Sequence, residues 1–432
     1  MNNQEKLSLL SIKIACLVAF SALIVIASCD GSPPYDSLPY CQGQPCLKAS
    51  LEKGTVDYRI LLVGDAGAPV EDENESPDQA PVLKALEYFS GLIPGRTTIV
   101  FLGDNIYPAG LPDETGRSLG ADKDCKRRAC AEKRIDAQIN VLKGSGARGI
   151  FVPGNHDWDK GGRKGWRRII NLEKFIADAR ETKKIDVDLE PKNGCPGPVT
   201  VSLSGEKTEI SLIALDTQWW LHDYRKPDVD DNPSQCKPVT ETGVIESIKK
   251  QITEETGKRR NIMIVAHHPL KSYGKHGAYY SRKDLARPMY LFEQIIRKSV
   301  FAGRQDLHNA IYKNMRVKIR RAVQANYGKM KTPLIYAAGH DHSLQIIKGR
   351  DGMYHLVSGA GSGWKAMRVG QGEGTLFSHA NRKTGGFIAV DYLQSGEVRF
   401  TVIEPRSTGE ECKYNEGKAC VVFSDWANHS PG

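Results

Sequence analysis

Beyond residue 28 the 432-residue chain has no long uninterrupted apolar run. A bilayer-spanning helix needs about 20 such residues, so the remainder is expected to be soluble. Zinc-finger, RNP-like and helix-turn-helix signatures are missing, so no specific nucleic-acid partner is expected despite a net charge of +9. No internal repeat or extended low-complexity tract occurs, which argues against a repeat architecture. Ten cysteines are present, but none lies in the polar motifs described next, which disfavours a zinc-thiolate structural site.

What the chain does have is a series of five short polar motifs. In order they read Gly64-Asp65-Ala66-Gly67, Gly103-Asp104-Asn105-Ile106-Tyr107, Gly154-Asn155-His156-Asp157, His267-His268-Pro269 and Gly339-His340-Asp341-His342. The runs ILLVGDAG, TIVFLGDN, GIFVPGNHD, NIMIVAHHP and PLIYAAGHDH share one design, a short apolar stretch closed by polar residues. Such stretches suit strands buried on both faces. Ligands of open α/β sheets collect beyond the carboxyl ends of these strands. Taken singly, each motif also fits a turn or a polar strand end, and Asn155-His156 fits a helix cap. Taken together, they supply donors for two adjacent metal ions and name metal-assisted hydrolysis of a phosphate ester.

Asp, Asn, His and Tyr offer hard oxygens and borderline nitrogens, suited to iron, manganese or a catalytic zinc. Two ions about 3.5–4 Å apart share a bridging carboxylate and clamp the attacking and leaving oxygens of an in-line displacement. The segments VTVSL, ISLIALDT, GFIAVDY and VRFTVIE fill out a two-sheet core.

The motif series resembles the calcineurin-like metallophosphoesterase superfamily and, within it, the small (tartrate-resistant type) purple acid phosphatases. Many members of the superfamily open on Asp-x-His, whose histidine binds the first metal; here Gly67 stands in that place. Tyr107, three residues after Asp104, matches the Asp-x-x-Tyr that purple acid phosphatases use instead. The resemblance implies an α/β fold, a two-sheet β-sandwich flanked by helices, with a helical insertion before the last motif. It implies Asp65, Asp104, Tyr107 and His342 around a first metal, and Asn155, His267 and His340 around a second, with Asp104 bridging. His267 aligns with the family's His-x-Pro ligand and is preferred over His268. His156 resembles the histidine that contacts the substrate phosphate and aids the leaving group, and Asp157 would orient it.

Ferric iron is implied at the first site, and ferrous iron, zinc or manganese at the second. A tyrosinate on ferric iron would colour the protein. The implied reaction is hydrolysis of phosphate monoesters by in-line attack of metal-bound hydroxide. The same donors serve a phosphodiesterase or a nucleotide or pyrophosphate hydrolase. Loss of Asp104, Asn155 or His340 would have favoured a non-enzymatic surface lipoprotein. Phosphorylated small molecules are the expected partners.

The N-terminus reads as an export signal. Lys6 and Lys13 precede an apolar run that ends in Ile26-Ala27-Ser28-Cys29. That ending resembles the bacterial lipobox, which implies cleavage before Cys29, its lipidation, and a membrane-tethered protein on the periplasmic side or cell surface; a signal-anchor helix is the alternative. Removal of residues 1–28 takes two lysines and one glutamate, leaving a charge of +8 that would help capture anionic phosphoesters. Residues 29–54 then form a lipidated tether, 55–405 the catalytic domain and 406–432 a C-terminal tail. Cys41/Cys46, Cys125/Cys130, Cys195/Cys236 and Cys412/Cys420 pair by proximity among many possible connectivities. Residues 271–331 depart most from a compact phosphatase. DLARPMYLFEQIIRKSVF and AIYKNMRVKIRRAVQANY within them read as amphipathic helices. They fit either a solvated insertion or a cover over the metal rim bringing Lys271, His276, Tyr279 or Arg282 to substrate, while His268 reads equally as a packing residue or a substrate contact. The glycine-rich stretch carrying Trp364 and Lys365 borders the site or is a plain loop.

Overall fold

The computed structural model describes residues 56–71, 75–114, 127–228, 236–277, 304–325, 327–330, 332–367, 369–378, 385–405 and 419–427. The expected signal, tether and Cys29 lie outside these residues, as do Tyr279, Arg282 and the first amphipathic segment.

Strand β1 (Val56–Val63) is wholly buried and sits at the centre of a seven-stranded sheet. On one side β2 (Thr97–Phe101), β3 (Arg148–Phe151) and β4 (Val187–Leu189) follow in parallel. On the other, β12 (Phe387–Leu393), β13 (Val398–Pro405) and β14 (Ala419–Trp426) continue antiparallel. The residues expected as a C-terminal tail therefore include an edge strand, with Phe423 opposite Val402. In the second seven-stranded sheet β6 (Glu209–Ala214), β7 (Asn261–Val265), β8 (Ile335–Ala338) and β10 (Tyr354–Ser358) run parallel. Antiparallel β5 (Val199–Ser204), β9 (Leu344–Lys348) and β11 (Thr375–Ser378) complete it.

Period-two alternation sorts the strand side chains into layers. Tyr58, Ile60 and Leu62 meet Leu212, Met263, Val265 and Leu356 between the sheets. Leu61 and Val63 turn outward, under helices α1 (Pro81–Gly91), α2 (Arg128–Asn140) and α3 (Gly165–Lys183). A short helix α4 (Gln218–Leu221) follows β6. On the far face Ile213, Ile264 and Tyr336 pack under α5 (Glu241–Gly257) and α6 (Ala310–Gln324). The result is the expected two-sheet α/β sandwich flanked by helices. Helix α6 is the second amphipathic segment read from the sequence. Asn309 caps it, accepting from the Ile311 N–H at 3.0 Å, and Tyr312, Met315, Ile319 and Val323 form its buried stripe. A disulfide joins Cys195 to Cys236, one of the expected pairs. Cys130 is also disulfide-bonded, and its expected partner Cys125 lies outside the described residues. Among the described residues no helix is long and apolar enough to cross a membrane.

Candidate metal centre

Each of the five motifs follows a parallel strand, three in the first sheet (β1, β2, β3) and two in the second (β7, β8). The carboxyl ends of both sheets thus face one crevice. Strand exits there are sharp. Asp65, Asp104 and His340 have φ of 58°, 53° and 69°, three of the eight described non-glycine residues in the left-handed region. Strained backbone of this kind concentrates at functional sites. Gly67 has no room for a side chain. A Cβ on Gly67 would lie 2.5 Å from the Ile106 nitrogen and 2.6 Å from the Asp104 carbonyl oxygen. The second motif folds directly onto it, with the Tyr107 N–H donating to the Gly67 carbonyl at 3.1 Å.

Tyr107 reaches between the first, second and last motifs. Its hydroxyl lies 2.9 Å from His342 Nε2, 3.1 Å from Asp65 Oδ1 and 3.2 Å from Asp104 Oδ2. One phenolic proton cannot serve three acceptors. Burial, then the charges of Asp65 and Asp104, raise the phenol well above its usual pKa, so only a cation would ionise it.

A second cluster adjoins the first through Asp104. His267 Nε2 lies 2.9 Å from Asn155 Oδ1 and 3.4 Å from Asp104 Oδ1. His340 Nδ1 lies 3.1 Å from Asn155 Oδ1 and 3.3 Å from His267 Nε2. The outer nitrogens of all three histidines meet backbone carbonyls: His267 Nδ1 on Leu102, His340 Nε2 on Gln305 and His342 Nδ1 on Lys365, at 2.8, 2.7 and 3.3 Å. A carbonyl only accepts, so each ring must donate there, and in the neutral ring the other nitrogen turns a lone pair inward. Seven side chains therefore direct acceptor atoms into two adjoining clusters. Mutually facing lone pairs repel, and a cation between them reverses the sign. This donor set fits two metal ions, with one oxygen of Asp104 in each cluster. Burial alone would raise Asp104, but His267, His156 and His342 outweigh it and bring its pKa to about 2, so it stands as a carboxylate.

The structure brings His156 to the edge of the first cluster, where its ring meets that of Tyr107 at 4.3 Å and its Nε2 lies 3.8 Å from Asp104 Oδ2. Asp157 does not orient it as the sequence suggested. His156 Nδ1 donates instead to the Pro108 carbonyl at 2.5 Å. Asp157 accepts from the N–H groups of Gly154 (2.8 Å), Asn105 (3.0 Å) and Ile106 (3.1 Å) and from Asn105 Nδ2 (2.9 Å). It binds the second motif's loop to the third's. Burial lowers the His156 pKa, although Asp104 opposes the shift.

His268 is buried behind His340, with both ring nitrogens engaged: Nδ1 at 2.8 Å from Thr217 Oγ1 and Nε2 at 2.7 Å from Gln305 Oε1. His267, His268 and His340 lie close enough together to hold a metal ion, but both His268 ring nitrogens already have protein partners, which fits the packing reading. His276 stacks on His340 at 4.2 Å and holds Asp306 at 2.9 Å, which places it at the edge of the second cluster. Lys271 lies apart, its ammonium on the Glu373 carbonyl. Sequence reasoning missed Gln305, which touches His340 through its carbonyl and His268 through its amide; no motif marks it. It also left Lys365 open. The Lys365 ammonium lies 3.5 Å from the centre of the Tyr107 ring, and burial, then Arg134, lower its pKa to about 8.

The chain matches no protein family and no curated protein sequence. Among solved structures it is similar to GAP50, the anchor in the inner membrane complex of Plasmodium, at 16% identity over 87% of this chain and 90% of that one, with a TM-score of 0.47. It is also similar to a dimetal phosphatase from Danio rerio, at 11% identity over 80% of this chain and 95% of that one, with a TM-score of 0.41.

Proposed function

We propose that this protein is a dinuclear metallophosphoesterase of the purple acid phosphatase type, acting on phosphate monoesters. The observation that carries the reading is the pair of adjoining acceptor clusters sharing Asp104, each with its histidines turned inward by backbone carbonyls. Asp65, Asp104, Tyr107 and His342 would hold one ion, and Asn155, His267, His340 and Asp104 the other. Two carboxylates and a phenol make the first set the harder one, which favours ferric iron there and a divalent ion at the second. When bound, such ions supply Lewis acidity and a hydroxide nucleophile at or below neutral pH.

The chain's own residues do the rest. His156, held by Pro108, presents Nε2 beside the first cluster, where in its protonated form it would donate to a phosphate oxygen or to the departing alkoxide. Asp104 next to it favours that cation. The buried walls exclude bulk water, which strengthens each of these interactions.

Metal analysis and a visible spectrum of the purified chain test the proposal. Two metals per chain including iron, a visible band that Tyr107→Phe abolishes, and turnover of p-nitrophenyl phosphate are expected. Two metals with a spectrum indifferent to Tyr107→Phe would remove the tyrosine from the metal. Turnover of bis-p-nitrophenyl phosphate alone would move the activity to diesters. We further propose that Cys29 carries a lipid that tethers the enzyme outside the cytoplasm, motivated by Ile26-Ala27-Ser28-Cys29. Mass spectrometry of the membrane-extracted protein checks it, and an unmodified Cys29 in an uncleaved chain sinks it.

A further inference from the structure

The segment after β10 forms one wall of the first cluster, and both metal-binding loops pin it. Gly361 and Ser362 donate their N–H groups to the carbonyls of Gly64 and Asp65, each at 3.0 Å. Ser362 Oγ donates to the Asp65 carbonyl and accepts from the Ala68 N–H at 3.0 Å. The Met367 N–H donates to the His342 carbonyl at 2.6 Å, and the Lys365 carbonyl receives His342 Nδ1. The backbone of this wall is held by the same loops that carry the donors.

Lys365 lies on this wall. It closes the single turn Gly363–Lys365 and reaches over Tyr107, its ammonium 3.5 Å from that ring centre and 5.0 Å from the Trp364 ring. Among the described residues it forms no ion pair, and aromatic faces are its close side-chain partners. His156 and His342, only 20% and 17% exposed, flank the same tyrosine and mark where the site opens. An ammonium offers three N–H donors, and a ring face satisfies none of them fully. Three open donors beside a phosphoryl site suit an oxyanion.

We propose that Lys365 is a specificity-determining residue: it receives a non-bridging oxygen of the substrate phosphate and gives the site its preference for dianionic monoesters over monoanionic diesters. The proposal rests on the phosphoesterase reading above. Its physical basis is charge. A fixed cation gains about twice the Coulomb energy from a dianion as from a monoanion at the same distance. The alternative is that Lys365 only braces the Tyr107 ring.

The test compares the metal-loaded full chain with Lys365→Met, Lys365→Gln and Lys365→Arg. The readouts are metal content, calorimetric affinity for inorganic phosphate, and kcat/KM on p-nitrophenyl and bis-p-nitrophenyl phosphate. The neutral variants should keep both metals yet bind phosphate about 10- to 100-fold more weakly, the range for losing one charge-assisted hydrogen bond. Monoester kcat/KM should fall by a similar factor, mostly through KM, while the diester value, with half the Coulomb energy at stake, should fall only about 3- to 10-fold. Lys365→Arg should restore most of the phosphate affinity, and it carries the test if neither neutral variant folds. Unchanged phosphate affinity in a neutral variant, equal losses on both substrates, or no recovery with arginine would overturn the role. A metal-loaded wild type that hydrolyses neither substrate would instead overturn the phosphoesterase reading.

Discussion

Asp157→Asn separates two roles that the same residue could have played. If Asp157 oriented His156, the amide would lower turnover and leave the fold alone. The structure assigns it four donors from two loops. Oδ1 accepts from the Asn105 and Ile106 N–H groups, and Oδ2 from the Gly154 N–H and Asn105 Nδ2. In asparagine one of these oxygens becomes an NH2 that faces two buried donors. Each donor left unsatisfied costs about 1–3 kcal/mol, so the substitution should cost roughly 2–6 kcal/mol. At roughly 2 °C per kcal/mol for a domain of this size, the thermal midpoint of the metal-free chain should fall by roughly 4–12 °C. Metal affinity should weaken too, because Asp104 and Asn155 flank the stitched positions. A midpoint within about 2 °C of wild type, together with a large loss of turnover, would refute this reasoning and restore the sequence-based role.

His156→Ala should lower kcat by about 10²- to 10⁴-fold while both metals are retained, since no acceptor of either cluster is removed; loss of metal would make His156 a ligand instead. As a proton donor, His156 must be cationic. Burial holds its pKa below the ordinary imidazole range, so wild-type kcat should fall as pH rises through acid values below that range, and the alanine variant should lose this dependence. Asp216, buried and bonded by Trp158 Nε1 at 2.8 Å, has its pKa raised by burial from 3.8 to about 7. The folded state therefore favours the protonated acid, and stability is lost as pH rises across that window, by up to roughly 4 kcal/mol. Thermal melts of Asp216→Asn should lack that slope; matching pH dependence in variant and wild type would sink the assignment.

The sequence by itself determined the strands and the chemical character of the site. ILLV, TIVF and NIMIV announce buried parallel strands because both faces of such a strand must be apolar, and the pattern needs no knowledge of neighbours. The polar residues that close them had one place to go, the carboxyl edge. Their identities set the donor chemistry. The buried stripe of α6 was equally legible, because helical periodicity is local.

Tertiary structure decided what fixes those donors. Leu102, Gln305 and Lys365 set the ring orientations of His267, His340 and His342 through backbone carbonyls, a group that every residue carries and no motif distinguishes. Leu102 and His267 stand 165 residues apart and meet only because the two sheets bring their carboxyl ends together. Asp157 beside His156 in sequence suggested a partnership, yet its carboxylate turned to four N–H groups that would otherwise be buried without an acceptor. Lys365 followed the same logic. Its charge was written in the chain, but its position over Tyr107 came from hydrogen bonds to loops some three hundred residues upstream and some twenty upstream. Local sequence encodes what each segment can offer; which offers meet is settled by packing, where burial forces every polar group to find its partner.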